Sequence, residues 1–146
     1  MKEKKKVKIV VALIFTLFAT WNIVWFASYS IGYNKYTEPL DEMFGEKMLI
    51  KDGYTYAVKK PGYLSFEGNI AMTASNQEGL IMWPNLFGED EYGITILVND
   101  ERYDLLLDKN MNLIGNTNNR DAENVLNKNK EKIESLYEQA RLVWDI

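Results

Sequence analysis

Ile9–Ile31, IVVALIFTLFATWNIVWFASYSI, organises this chain: 23 consecutive residues carry no charge, and only Asn22 and a few hydroxyls interrupt the apolar run. At about 1.5 Å of rise per residue it makes a helix of roughly 34 Å, enough to cross a hydrocarbon core of about 30 Å. Just before it, Lys2, Lys4, Lys5, Lys6 and Lys8 stand against Glu3. A lysine cluster abutting the first hydrophobic helix holds that end in the cytoplasm and sends the rest across. Trp21, Trp25, Tyr29, Tyr33 and Tyr36 fall in or just after the second half, where amphipathic rings suit the outer headgroup layer. The expectation is a single-pass protein of the cell membrane. Residues 1–8 form a cytoplasmic basic tail, 9–31 the transmembrane helix, 32–46 a membrane-proximal connector and 47–146 an extracytoplasmic domain.

Two other readings of the run compete. A core helix of a water-soluble domain needs polar residues at helical spacing on one side, and Asn22 alone is strongly polar. A cleaved signal peptide is the stronger rival, because Ser28-Tyr29-Ser30 offers small residues spaced for cleavage before Ile31. The apolar run nevertheless exceeds the about 7–15 residues of a usual signal-peptide core, which favours a retained anchor.

The formal charge of −4 conceals an asymmetry: five lysines and one glutamate lie in the first eight residues, leaving net −8 beyond them. A negative domain repels nucleic acid and anionic headgroups, and the remaining basic residues form no stripe, so nucleic-acid binding is not expected. The chain has no cysteine and so no disulfide. Lacking staples, the 115 residues from 32 onward must form an ordinary packed domain.

After the membrane, the aromatic spacing of four, four, four and three from Trp21 to Tyr36 carries the helix outward. Thr37-Glu38-Pro39 is a break or a fresh helix start, LDEMF (40–44) a short helical turn, and Gly45 its left-handed stop. From Lys47 the period becomes two. MLIK (48–51) and YTYAVK (54–59) flank an Asp52-Gly53 hairpin turn. Pro61-Gly62 supplies the centre of a type II turn, YLSFE (63–67) returns as a strand, and IAMTAS (70–75) follows. LIMW (80–83) runs into Pro84, which ends the strand or places it at an edge. ITILV (94–98) and RYDLLL (102–107) make the clearest hairpin, and a short strand at Leu113-Ile114 completes the sheet. Asp121 caps a C-terminal amphipathic helix of about 22 residues, with Asn129 the weak point of its apolar stripe. The expected fold is α+β: a transmembrane helix, then a small antiparallel sheet with the amphipathic helix packed on it.

Chemistry is sparse. Histidine is absent, which removes the commonest general base and metal ligand. Ser65 with Lys59 or Lys60 is a remaining nucleophile pairing, but a solvated lysine with a pKa near about 10.4 is a poor base. Glu89, Asp90 and Glu91, with Glu67 and Asp104 as partners, are the carboxylates a glycosidic reaction would need, and nothing in the sequence buries them. Asp108-Lys109-Asn110-Met111-Asn112 opens like a calcium loop. It has Leu113 where the sixth-position Gly belongs and Asn119 in place of the final Glu, so an Asx-type turn is expected there and a calcium site is not.

No enzyme and no cofactor are therefore expected. The long loop after Trp83 carries Leu86 and Phe87 beside its acidic run, and apolar residues in such a loop either tuck into the core or meet a partner. The candidate partner contacts are Trp21, Trp25, Tyr29, Tyr33, Tyr36, Trp83, Leu86 and Phe87. The functional expectation is a non-catalytic accessory subunit of a larger membrane or envelope complex, of transporter or secretion type, bound to an integral membrane partner. The alternative is an anchored binding module for a peptide, wall polymer or toxin, including an immunity-type role.

Overall fold

A computed structural model of the chain describes residues 2–43, 45–63, 65, 67–85, 88–114 and 120–146. Its first element is a helix long and apolar enough to cross a membrane. Helix α1 (Lys2–Ala27) passes without a break into a π-helical turn (Ser28–Gly32) and then α2 (Tyr33–Thr37), so the helix does continue outward as the aromatic spacing implies. It stops two residues before Pro39, whose ring and missing N–H do not fit a helix interior.

Seven strands follow as a simple meander, ordered β1 to β7, every pair antiparallel. They are β1 (Asp41–Met43), β2 (Glu46–Lys51), β3 (Tyr54–Lys59), β4 (Asn69–Ala74), β5 (Gly79–Trp83), β6 (Glu91–Val98) and β7 (Glu101–Leu107). Asp52-Gly53 and Asn99-Asp100 both take positive φ at their two central positions, the hairpin turns whose twist matches that of the strands. Leu113 adds one bridge to Leu107.

Four local expectations are corrected. The helical turn expected over LDEMF is replaced at Asp41–Met43 by a strand paired with Glu46–Met48, Gly45 at φ +81° serves this hairpin, and Phe44 lies outside the described residues. YLSFE is not a strand at Ser65 or Glu67, while its Leu64 and Phe66 lie outside the described residues. Instead β3 pairs directly with β4 from Lys59↔Asn69 onward, so the described residues between them, 60–63, 65, 67 and 68, lie outside the sheet. Gly62 lacks the positive φ that a type II turn demands; its carbonyl accepts the Ser65 N–H at 3.0 Å and, as described below, a second donor. Finally, Asp121 lies inside α3 (Arg120–Lys128) instead of capping it, and a second helix, α4 (Lys130–Arg141), follows. The break falls at Asn129, where the side-chain amide donates to Val125 O at 2.8 Å alongside the Asn129 backbone N–H at 3.0 Å. That back-bonding bends helices.

Alternation sorts the sheet into two unlike faces. Tyr56, Ile70, Met72, Leu80, Met82, Tyr92, Ile94, Ile96, Leu105 and Leu107 point to one side. There they form a single core with Tyr36 and Leu40 and with Val125, Ile133, Leu136, Tyr137, Ala140 and Trp144. The fold is thus α+β, an open sheet covered on one face by helices. Trp144 closes it: its Nε1 donates to Tyr36 O at 2.9 Å, and its ring meets Tyr56 edge-on at 5.4 Å.

On the opposite face the register runs Met48–Ala57–Ala71–Ile81–Gly93–Leu106 straight across six strands. None of these side chains belongs to the core. All are half-buried, and Ile50 beside them is 63 % exposed.

Candidate interaction surface

The aromatic ladder on the N-terminal helix divides into three environments. Trp21 is 44 % exposed on α1. Trp25 and Tyr29 are half-buried against the 60–63 turn: Trp25 Nε1 donates to Gly62 O at 2.8 Å, and its ring meets Tyr63 edge-on at 5.1 Å. The Lys60 ammonium sits 4.8 Å above the Tyr29 ring and donates to Asn34 Oδ1 at 2.7 Å. Tyr33 and Tyr36 are buried in the domain. One periodic stripe therefore serves the helix surface, an internal clamp and the core in turn. The Pro61-Gly62-Tyr63 turn and Lys60 are contacts the sequence did not single out. The available signal was Asn22, the one amide in the apolar run, which accepts the Tyr63 hydroxyl at 2.8 Å.

Trp83, at the end of β5, is 37 % exposed and lies over the open sheet face, because Gly93, diagonal to it on β6, has no side chain. A Cβ there would stand 2.8 Å from Trp83 Cη2 and 2.9 Å from Cζ3. Gly93→Ala is therefore expected to lift the indole off the sheet. Because the ring is partly exposed and free to move, the stability cost should be about 1 kcal/mol. A changed near-ultraviolet circular dichroism spectrum with little change in melting temperature is the expected result; an unchanged spectrum would contradict the stacking. Leu86 and Phe87, the other loop candidates, lie outside the described residues.

Beside Trp83 a cleft of about 1040 Å³ opens at the end of the sheet next to the N-terminal helix, lined by Ser28, Lys59, Ser65, Glu67, Asn69, Asn85 and Glu91 among others. It brings together Ser65 with Lys59 and Glu67 with Glu91, drawn from both catalytic pairings that the sequence allows. The other carboxylates are engaged elsewhere. Glu89 pairs with Lys109, Asp90 accepts from the Asn85 N–H, and Asp104 is held by Arg102 and Thr95. Asp108 has its carboxylate occupied by the N–H groups of Asn110 and Asn112, the Asx-type turn expected of that stretch. Among the described residues no cluster of acidic side chains is arranged to hold a metal ion.

No family model, curated protein or solved structure matches this chain.

Proposed function

We propose that the protein is a non-catalytic accessory subunit of a larger membrane complex of transporter or secretion type. In this reading it is anchored in the cell membrane by residues 9–31, with the N-terminus cytoplasmic and the domain outside. The observation that carries it is the second face of the sheet. A two-layer domain has spent its helices on one side and keeps an apolar row from Met48 to Leu106 on the other, with Ile50 and Trp83 exposed beside it. An apolar surface of that kind is typical of protein contacts. It is joined by a continuous helix to the anchor, so an integral membrane neighbour is the natural partner. The absence of histidine and cysteine supports a non-catalytic role.

The test is affinity purification from native membranes in mild detergent, comparing the wild type with Ile81→Lys. A stoichiometric membrane protein recovered with the wild type and lost with the variant is expected, while recovery of the protein alone in several mild detergents would defeat the proposal. Protease added to spheroplasts should remove the domain and spare a tag at residue 1; a protected C-terminus would reverse the topology.

The cleft favours a second reading, an anchored binding module for a peptide, wall polymer or toxin, including an immunity-type role. An indole platform beside amide and carboxylate groups suits a sugar or a peptide backbone. Replacing the span discriminates the two readings. The exchange has to stop at residue 20, because Asn22, Trp25 and Tyr29 hold the 60–63 turn. A binding module keeps its activity after that exchange, and a subunit packed through its membrane helix loses it.

A further inference from the structure

We infer that the Pro61-Gly62-Tyr63 turn is seated within the outer leaflet, so that the domain rests on lipid and does not stand clear of it on a stalk. This rests on the membrane-span reading above and adds a second point of lipid contact to it.

Depth comes first. Lys8 is the last charge before the apolar run, and Asn22 follows it by 14 residues, about 21 Å of helix. A hydrocarbon core of about 30 Å measured from Lys8 ends some six residues beyond Asn22, near Ser28. Allowing the lysine to snorkel by about one helical turn moves that boundary to about residue 24 or 25, still beyond Asn22. Helix tilt moves it outward again. The Tyr63 hydroxyl bonds to Asn22, so the turn reaches below the boundary.

Hydrogen bonding agrees with that depth. Where no water is at hand, every polar group needs a partner inside the protein. Asn22 Nδ2 donates to Phe18 O at 2.8 Å while its Oδ1 accepts from Tyr63 at 2.8 Å, and Trp25 Nε1 is satisfied by Gly62 O. The amide that looked out of place in an apolar helix is thus the anchor point for this turn.

Polarity along the turn changes at the right level. Lys60 extends its ammonium outward to Asn34, 12 residues beyond Asn22 on the same helix. Tyr63 reaches the other way and is 59 % exposed. A cation directed to water and a tyrosine directed to acyl chains bracket an interface, as amphipathic side chains do at membrane surfaces. The lipid boundary passes between them.

The chain has no cysteine, so single nitroxides can be placed cleanly. Gly62 is the site of choice, because a Cβ there meets nothing within 4 Å and the Tyr63–Asn22 bond stays intact. Full-length Gly62→Cys, Phe15→Cys and Ser75→Cys variants are labelled and reconstituted in phosphatidylcholine vesicles. Collision with oxygen, which concentrates in lipid, is compared with collision with a water-soluble nickel chelate. Position 62 should resemble position 15, with an oxygen-to-nickel ratio severalfold above that at position 75 in the distal hairpin turn. A ratio at 62 equal to that at 75, with 15 still lipid-like, overturns the inference and leaves the anchor standing. A water-like ratio at 15 overturns the span and the inference together.

Discussion

Trp144→Ala should unfold the domain at a markedly lower temperature than the wild type. The indole is 2 % exposed and joins three parts of the fold: the last residues of the chain, Tyr56 on β3, and the Tyr36 carbonyl at the C-terminal end of the long N-terminal helix. Truncating a buried tryptophan removes apolar burial and leaves a cavity, together costing about 3–5 kcal/mol. For a domain of this size that corresponds to a fall in melting temperature of roughly 10–20 °C. Trp144→Phe keeps an aromatic ring against Tyr56 but loses the hydrogen bond to Tyr36 and part of the indole's volume, so its cost should be smaller, about 1–3 kcal/mol. Thermal unfolding of the three full-length proteins in the same detergent measures both. Equal stability of wild type and Trp144→Ala would mean that the C-terminus does not hold the fold together.

Glu78 gives the second large effect, this time with a pH signature. It sits at the turn between β4 and β5, buried, and accepts the Leu97 N–H at 2.7 Å, the Asn76 amide at 3.0 Å and the Lys132 ammonium of α4. Burial alone would raise the carboxyl pKa, but the hydrogen bonds from Lys132, Leu97 and Asn76 outweigh it and hold the group below the ordinary glutamate value of 4.5. Glu78→Ala leaves the Leu97 N–H without its partner and deprives Lys132 of its counter-ion. The expected loss is about 2–4 kcal/mol, moderated because Lys132 is in part hydrated. A carboxyl that titrates lower when folded stabilises fully above its unfolded pKa, and the contribution is lost as pH falls through the folded value. Wild-type stability should therefore drop below about pH 4.5, and Glu78→Gln should be less stable at neutral pH but flatter in acid. Asp104, held low chiefly by Thr95, and Asp108, held low chiefly by Asn112, keep some slope in the variant. Parallel acid profiles for wild type and Glu78→Gln would contradict the assignment.

The sequence was most legible where two signals coincide. The β6–β7 hairpin combines the period-two apolar positions Ile94, Ile96, Val98, Tyr103, Leu105 and Leu107 with residues that accept positive φ at Asn99 and Asp100. The β2–β3 hairpin does the same around Asp52-Gly53. Legibility failed where pairing overrides composition. Asp-Glu-Met has little strand preference of its own, and β1 exists because β2 offers it a free edge. Residues 63–67 alternate like a strand, yet β4 already occupies the edge of β3 that they would need. Gly68 then lets the returning chain pass close to Lys59 O and the Tyr33 ring, which a Cβ would meet at 2.6 and 2.7 Å.

The candidate surface was legible only as a stripe of rings. Helical spacing places Trp21, Trp25, Tyr29, Tyr33 and Tyr36 along the helix, but an aromatic ring suits lipid, a clamp or a core equally well. The separation between them is made by tertiary contacts from residues 60–63 and Trp144, far away in sequence. The open face was hidden for a related reason. Alternation puts Ala57, Ala71 and Leu106 on the face away from Tyr56, Ile70, Met72, Leu105 and Leu107, but how bare that face stays depends on which side the helices cover.

Because one helix runs from the apolar segment through Ser28–Gly32 to Tyr36, and Tyr36 is fastened to Trp144, the domain has no swivel. In a bilayer that would fix its bearing relative to the surface, and with it the direction in which the exposed sheet faces. A neighbour in the same membrane would not need to search all orientations in three dimensions. Lateral drift and rotation about a single axis would bring the two faces together, so a modest contact area could hold a lasting pair.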